Sequence, residues 1–193
     1  MRIFCYGDSD TYGHDPCSPL GQPYPPDVRW TDRLAAATGW TVVNAGLNGR
    51  EIPHTPDQLT GAAALFASAA PFDLATVFLG SNDLFQGCSA QETAARMACF
   101  LDWIAAYPVV LLSPIPMTSG TWVTEERLVT ESARLPELYA ALAQRRNIPF
   151  VDPGAWGVEM AFDGAHYTEA GHRTFGARIQ EALTEIARRR GLL

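Results

Sequence analysis

The sequence predicts a three-layer α/β/α sandwich built on a five-stranded parallel sheet, with helices on both faces. Two observations carry this. Short apolar runs recur along the chain without the alternation of a half-exposed strand, which is the signature of strands covered on both faces. Between them lie segments with apolar residues at helical spacing, and strands alternating with helices call for right-handed crossovers over a parallel sheet.

The first run, Arg2–Tyr6, opens the chain and gives way to Gly7-Asp8-Ser9. Trp30, Leu34 and Ala37 then mark a helix, with Gly39 placed as its C-terminal cap. The second run is Trp40–Asn44, followed by the glycine-bearing stretch Asn44-Ala45-Gly46-Leu47-Asn48-Gly49-Arg50. Thr55-Pro56-Asp57-Gln58 reads as a capping box with proline at the first helical position. Gly61 to Gly80 is almost wholly apolar, but Pro71 and Asp73 interrupt it, so a helix and then a buried strand, Leu74–Leu79, are expected rather than a membrane span. Ser89-Ala90-Gln91-Glu92 is a second capping box, before a helix carrying Met97, Leu101 and Ile104. The fourth strand is Val109–Ser113, the fifth Pro149–Val151. Between them Leu135, Leu138, Tyr139 and Leu142 form a helical stripe that Asn147 would cap, and Phe175, Ile179, Leu183 and Ile186 mark the last helix. Two stretches read as irregular, His14–Asp27 and Pro114–Val123, and loops that follow parallel strands lie at the carboxyl edge where ligands bind.

With 193 residues, 47% of them apolar, the chain is expected to form one domain over positions 1–193 with a full core. Its net charge of −7 lacks the footprint of a nucleic-acid binder. No lysine occurs, which excludes a lysine Schiff base, a Walker A lysine and a Ser-Lys dyad. Cys5, Cys17, Cys88 and Cys99 form no CxxC and no zinc-ligand spacing. Cys5 and Cys99 read as core thiols, and a cytoplasmic protein with reduced thiols is expected. The closing Arg188-Arg189-Arg190 reads as a solvated face complementing a helix C-terminus.

Candidate chemistry sits at strand ends. Ser9 occupies a strand-to-helix turn, where a hydroxyl can be presented at the sheet edge; the motif alone equally fits a serine or Asx turn capping a helix. Asp163-Gly164-Ala165-His166 places a carboxylate three residues before an imidazole, the arrangement a base needs to fix its tautomer. His54, His14 and His172 are rival bases; His14 neighbours Asp15, and His172 is expected to face solvent. Gly80-Ser81-Asn82-Asp83 closes the third strand, and the Asn82 amide is either a neutral donor suited to an oxyanion hole or a turn former.

GDSDTYG near the start, a glycine after the second strand, GSND after the third and DGAH near the end resemble, in order, the four blocks of the SGNH (GDSL) hydrolases. The ordered set spans nearly the whole chain. The resemblance implies a flavodoxin-like sandwich, Ser9 as nucleophile, His166 as base and Asp163 as its orienter. It implies oxyanion donors at the Ser9 N–H, the Gly49 N–H and the Asn82 side chain, with Gly49 chosen over Gly46 by alignment of the second block. Pro26-Asp27-Val28-Arg29-Trp30-Thr31 is similar to the arylesterase and acyltransferase branch, and small bacterial thioesterase/lysophospholipase-like members are also similar.

The activity so implied is hydrolysis of short-chain carboxylic esters through an acyl-enzyme, with acyl transfer to alcohols open. No metal or organic cofactor is required. The expected partner is a small-molecule ester, without nucleic acid or membrane, in a monomer or a homo-oligomer. Asp10 departs from those relatives, which carry an apolar residue there, and is expected to disfavour anionic acyl groups. Tyr12, Leu84, Phe85, Trp122 and Tyr167 are expected to wall a compact pocket. The alternative is a non-catalytic small-ligand binding module on the same fold. A nucleotide or flavin binder is disfavoured, because the first loop carries neither GxGxxG nor a Walker lysine.

Overall fold

Alternate residues of each central strand feed two separate cores. The computed structural model describes all 193 residues. Strands β1 (Arg2–Gly7), β2 (Thr41–Gly46), β3 (Leu74–Phe78), β4 (Val109–Leu112) and β5 (Phe150–Val151) form one sheet in the order β2-β1-β3-β4-β5. Every pairing is parallel.

Helices cover both faces. Ile3, Cys5, Leu74, Phe78, Val110 and Leu112 point to the side where α2 (Trp30–Thr38) packs on α8 (Glu169–Arg189). Phe4, Tyr6, Ala75, Val77, Val109 and Leu111 point to the other side. There they meet α3 (Pro56–Ala69), α5 (Ala90–Trp103) and α7 (Leu135–Arg146). The expected three-layer α/β/α sandwich is therefore formed. Its weak side is β2, an edge strand in which no residue is fully buried, because only β1 flanks it.

The caps read from the sequence are present. Gly39 (φ 71°) and Asn147 (φ 52°) close α2 and α7 in the left-handed conformation. Thr55–Gln58 and Ser89–Glu92 make both reciprocal bonds of a capping box. The strand-to-helix turn at Ser9 leads into a short helix, α1 (Ser9–Tyr12), and two further short helices, α4 (Ser81–Phe85) and α6 (Glu126–Ser132), were not expected. Two burial expectations are corrected. Cys99 is exposed rather than in the core. His172 is fully buried rather than solvated, its ring edge-on to Tyr24 and Tyr167 at 5.4 Å. No helix is long and apolar enough to cross a membrane; the run from Gly61 to Gly80 divides into the end of α3 and β3 as expected.

The register levels the carboxyl ends. Gly7 pairs with both Gly46 and Phe78, and Phe78 with Leu112. The segments leaving β1, β2, β3 and β4 thus emerge side by side. The order 2-1-3-4-5 puts the reversal of winding between β1 and β3, the place where open α/β sheets bind ligands.

Candidate active site

The turn after β1 is packed unusually tightly, and two glycines permit it. A Cβ on Gly7 would collide with Thr11, and one on Gly46 with the backbone of Thr11 and Tyr12. Helix α1 can therefore lie directly on the strand ends. Its C-terminal carbonyls are bonded from outside: Trp30 Nε1 donates to Asp10 O at 2.9 Å and Asn44 Nδ2 to Thr11 O at 2.8 Å. The Asp8 carboxylate caps its start by accepting the Asp10 N–H at 3.2 Å. Ser9 is the first helical residue, fixed at the mouth of the turn and 9% exposed.

The loop before α8 brings Asp163 and His166 to it. Asp163 Oδ1 accepts the backbone N–H of Ala165 (2.9 Å) and of His166 (3.0 Å), while Oδ2 faces His166 Nδ1 at 2.6 Å. His166 Nε2 lies 3.0 Å from Ser9 Oγ. Burial raises the Asp163 carboxyl, but the bonds from the His166 ring and the two backbone N–H groups outweigh it and bring it down to about 2. An ionised carboxylate only accepts, so Nδ1 carries the ring proton and Nε2 presents a lone pair to the serine hydroxyl. The irregular segment after β4 clamps this loop: Trp122 and Val123 both donate N–H to Asp163 O at 3.1 Å. Gly120 lies so close that a Cβ there would strike the Asp163 backbone.

Asn82, on α4, and the loop after β2 close the opposite side. Asn82 Nδ2 donates to Arg50 O at 3.1 Å, leaving one amide hydrogen free. Asp83 Oδ2 accepts the Ile52 N–H at 3.0 Å and binds the same loop. Gly49 (φ 73°) borders the cavity, and its N–H has no acceptor in the protein. The N–H of Gly46 is already given to Asn44 Oδ1 at 2.8 Å. The cavity holds about 460 Å³ and is lined by Ser9, Asp10, His14, Asn48, Gly49, Ser81, Asn82, Phe85, Trp122, Ala165 and His166. All five residues singled out from the sequence, Ser9, Gly49, Asn82, Asp163 and His166, converge here; Asp163 stands behind the wall.

Other expectations change. Of the five aromatic and apolar wall residues, only Phe85 and Trp122 line the cavity; Leu84 and Tyr167 are buried in the core. His54 is exposed and bonds to Ile52 O at 2.9 Å, away from Ser9. Burial, then repulsion from Asp8 and Asp163, raise the Asp10 carboxyl well above the usual carboxylate range, which weakens the repulsion of anionic acyl groups expected of it. Burial likewise raises Asp8, to about 6. His14, a rival base in the sequence reading, stands against the His166 ring. Its ring centroid is 4.5 Å from that of His166, and its position five residues after Ser9, in a loop at the carboxyl edge, was the available signal.

A serine, an imidazole and a carboxylate thus stand in hydrogen-bonded series beside a pocket. The comparisons specify the class. Residues 5–174 match the GDSL-like Lipase/Acylhydrolase family, and the chain belongs to that family of ester-bond hydrolases. Its fold is close to the native M. smegmatis aryl esterase: TM-score 0.86 at 27% identity, covering 95% of this chain and 98% of that one. A carbohydrate acetylesterase from Sinorhizobium meliloti shares the fold, with TM-score 0.84 at 24% identity over 96% of this chain and 99% of that one. No curated protein matches the sequence.

Proposed function

We propose that the protein hydrolyses short-chain carboxylic esters with Ser9 as nucleophile, His166 as general base and acid, and Asp163 as the group that fixes the ring. The unbroken series Asp163–His166–Ser9, at 2.6 and 3.0 Å, carries this reading. Ser9 Oγ attacks the ester carbonyl while His166 Nε2 takes its proton. The carbonyl oxygen becomes an oxyanion, held by the N–H groups of Ser9 and Gly49 and the free amide hydrogen of Asn82. The tetrahedral intermediate collapses, the C–O bond to the alcohol breaks, and His166 gives the proton to the departing oxygen. Water then attacks the acyl-enzyme with His166 again as base, releasing the acid and restoring Ser9 Oγ–H. An alcohol in the same place resolves the acyl-enzyme to a new ester. Apart from the ester and the water or alcohol that resolves the acyl-enzyme, every group in these steps belongs to the chain.

Short acyl groups are favoured because Phe85 and Trp122 wall the cavity at the sheet edge. A screen of acyl length and leaving group with Ser9→Ala as blank tests the reading. Turnover by Ser9→Ala at the wild-type rate would overturn it.

A further inference from the structure

In the proposed mechanism one oxyanion is held by donors from separate elements, among them the Gly49 N–H in the loop after β2 and the Asn82 amide on α4. A donor acts in the transition state only when it lies about 2.7–3.1 Å from the charged oxygen. The spacing between loop and helix therefore bears on the rate. Gly49 does not fix it by packing: a Cβ built there would meet nothing within 4 Å.

The tether comes just after Gly49. Arg50 O accepts from Asn82 Nδ2 at 3.1 Å, and the Ile52 N–H donates to Asp83 Oδ2 at 3.0 Å. Both partners stand on α4, which has only five residues and gains little from its own hydrogen bonds. Its neighbour α5 is a firmer support. It runs 14 residues, starts in a capping box and buries Met97, Phe100 and Leu101. Arg96 projects from α5, and one guanidinium nitrogen, Nη1, donates to Asp83 Oδ1 at 2.8 Å and to Glu51 Oε2 at 3.1 Å. The two hydrogens of that nitrogen thus serve two carboxylates, one on α4 and one on the loop. Asp83 is fully buried with both oxygens bonded; burial raises its carboxyl, and the Ile52 N–H and Arg96 oppose the rise.

We propose that Arg96 is a positioning residue: by bridging Asp83 and Glu51 it holds the loop after β2 against α4 and keeps the Gly49 and Asn82 donors in register for one oxyanion. Arg96 is not among the residues that line the cavity. Its influence passes through residues adjoining the two donors, so it falls on kcat rather than on KM. The inference rests on the oxyanion role given to Asn82 and adds what sets the geometry of that site.

The test is a double-mutant cycle, reading kcat and KM for p-nitrophenyl acetate in Arg96→Met, Asn82→Ala and the pair. Arg96→Met removes the donors and lowers kcat about 10–100-fold, the scale of a group misplaced by an ångström, with little change in KM. In the Asn82→Ala background the same substitution costs a smaller factor, because one of the donors it aligns is already gone. Arg96→Lys, whose ammonium can donate to both carboxylates, keeps most of the wild-type kcat. Glu51→Ala leaves the buried Asp83–Arg96 pair intact and also lowers kcat, and it decides the matter if Arg96→Met does not fold. Unchanged kcat in the folded variants, or an equal factor in both backgrounds, overturns the inference while the loss in Asn82→Ala leaves the oxyanion role standing. Wild-type kcat in Asn82→Ala overturns both.

Discussion

Replacing Asp163 by Asn isolates the group that sets the His166 tautomer. Asp163 Oδ1 accepts two backbone N–H bonds, from Ala165 and His166, and Oδ2 faces the ring at 2.6 Å. In Asp163→Asn those two donors demand an oxygen where Oδ1 stands, so the new NH₂ must occupy the Oδ2 place. It can only donate to Nδ1, which drives the ring proton to Nε2, 3.0 Å from Ser9 Oγ. A protonated Nε2 cannot take the serine proton, and kcat/KM should fall by about 10³–10⁴-fold.

Stability should fall as well. Taking the carboxyl from its ordinary 3.8 to about 2 favours the folded state by up to about 2 kcal/mol. The folded value is the lower one, so this contribution is present above about pH 4 and is lost as pH falls toward 2. The variant should therefore unfold at lower denaturant than wild type at pH 7, with the gap narrowing below pH 4. Hydrolysis of p-nitrophenyl acetate and urea unfolding at pH 7 and pH 3 measure both effects. Wild-type kcat/KM in this variant would refute the reasoning, because another group would then orient the ring.

Asn82→Ala should lower kcat by about 10²–10³-fold with little change in KM, since its donor acts mainly in the transition state; a change in KM alone would make Asn82 a substrate-binding group instead. His172, with both ring nitrogens buried and unpartnered, is held down by burial to about 3. Its folded value lies below the unfolded one, so stability present above about pH 6.5 is lost as pH falls toward 3, by about 4–5 kcal/mol in all. His172→Phe should therefore gain stability relative to wild type as pH falls from 6.5 to 4 in thermal melts, and a pH-independent difference would contradict this. Across acetyl, butyryl, octanoyl and palmitoyl esters of one phenol, kcat/KM should peak at the short acyl groups, whereas an open groove would gain about 0.8 kcal/mol per methylene; a maximum at octanoyl or beyond would sink the short-acyl preference.

What could be read from the sequence was mostly local. Gly39, Asn147 and the two capping boxes act within a few residues of where they stand, so their spacing was sufficient. Ser9, Asn82, Asp163 and His166 lie in short blocks at strand or helix ends, and a parallel sheet brings such ends together. Misreadings came where distant segments decide. The solvation of β2 depends on its place at the sheet edge, and neither Val42 nor Val43 records that place. His172 sits on a helix that could show either face to water; Tyr24 and Tyr167, from other segments, cover it. His14 packs on the His166 ring from the opposite end of the chain, and no spacing rule connects the two.

The central claim is that Ser9 is a nucleophile activated by His166. Intact-mass and peptide mapping after treatment with a fluorophosphonate tests it directly. The account predicts a single adduct on the peptide carrying Ser9 in folded wild-type protein, much slower labelling in His166→Ala, and none in Ser9→Ala. Folded wild-type protein that stays unlabelled, or is labelled at another residue, would contradict it.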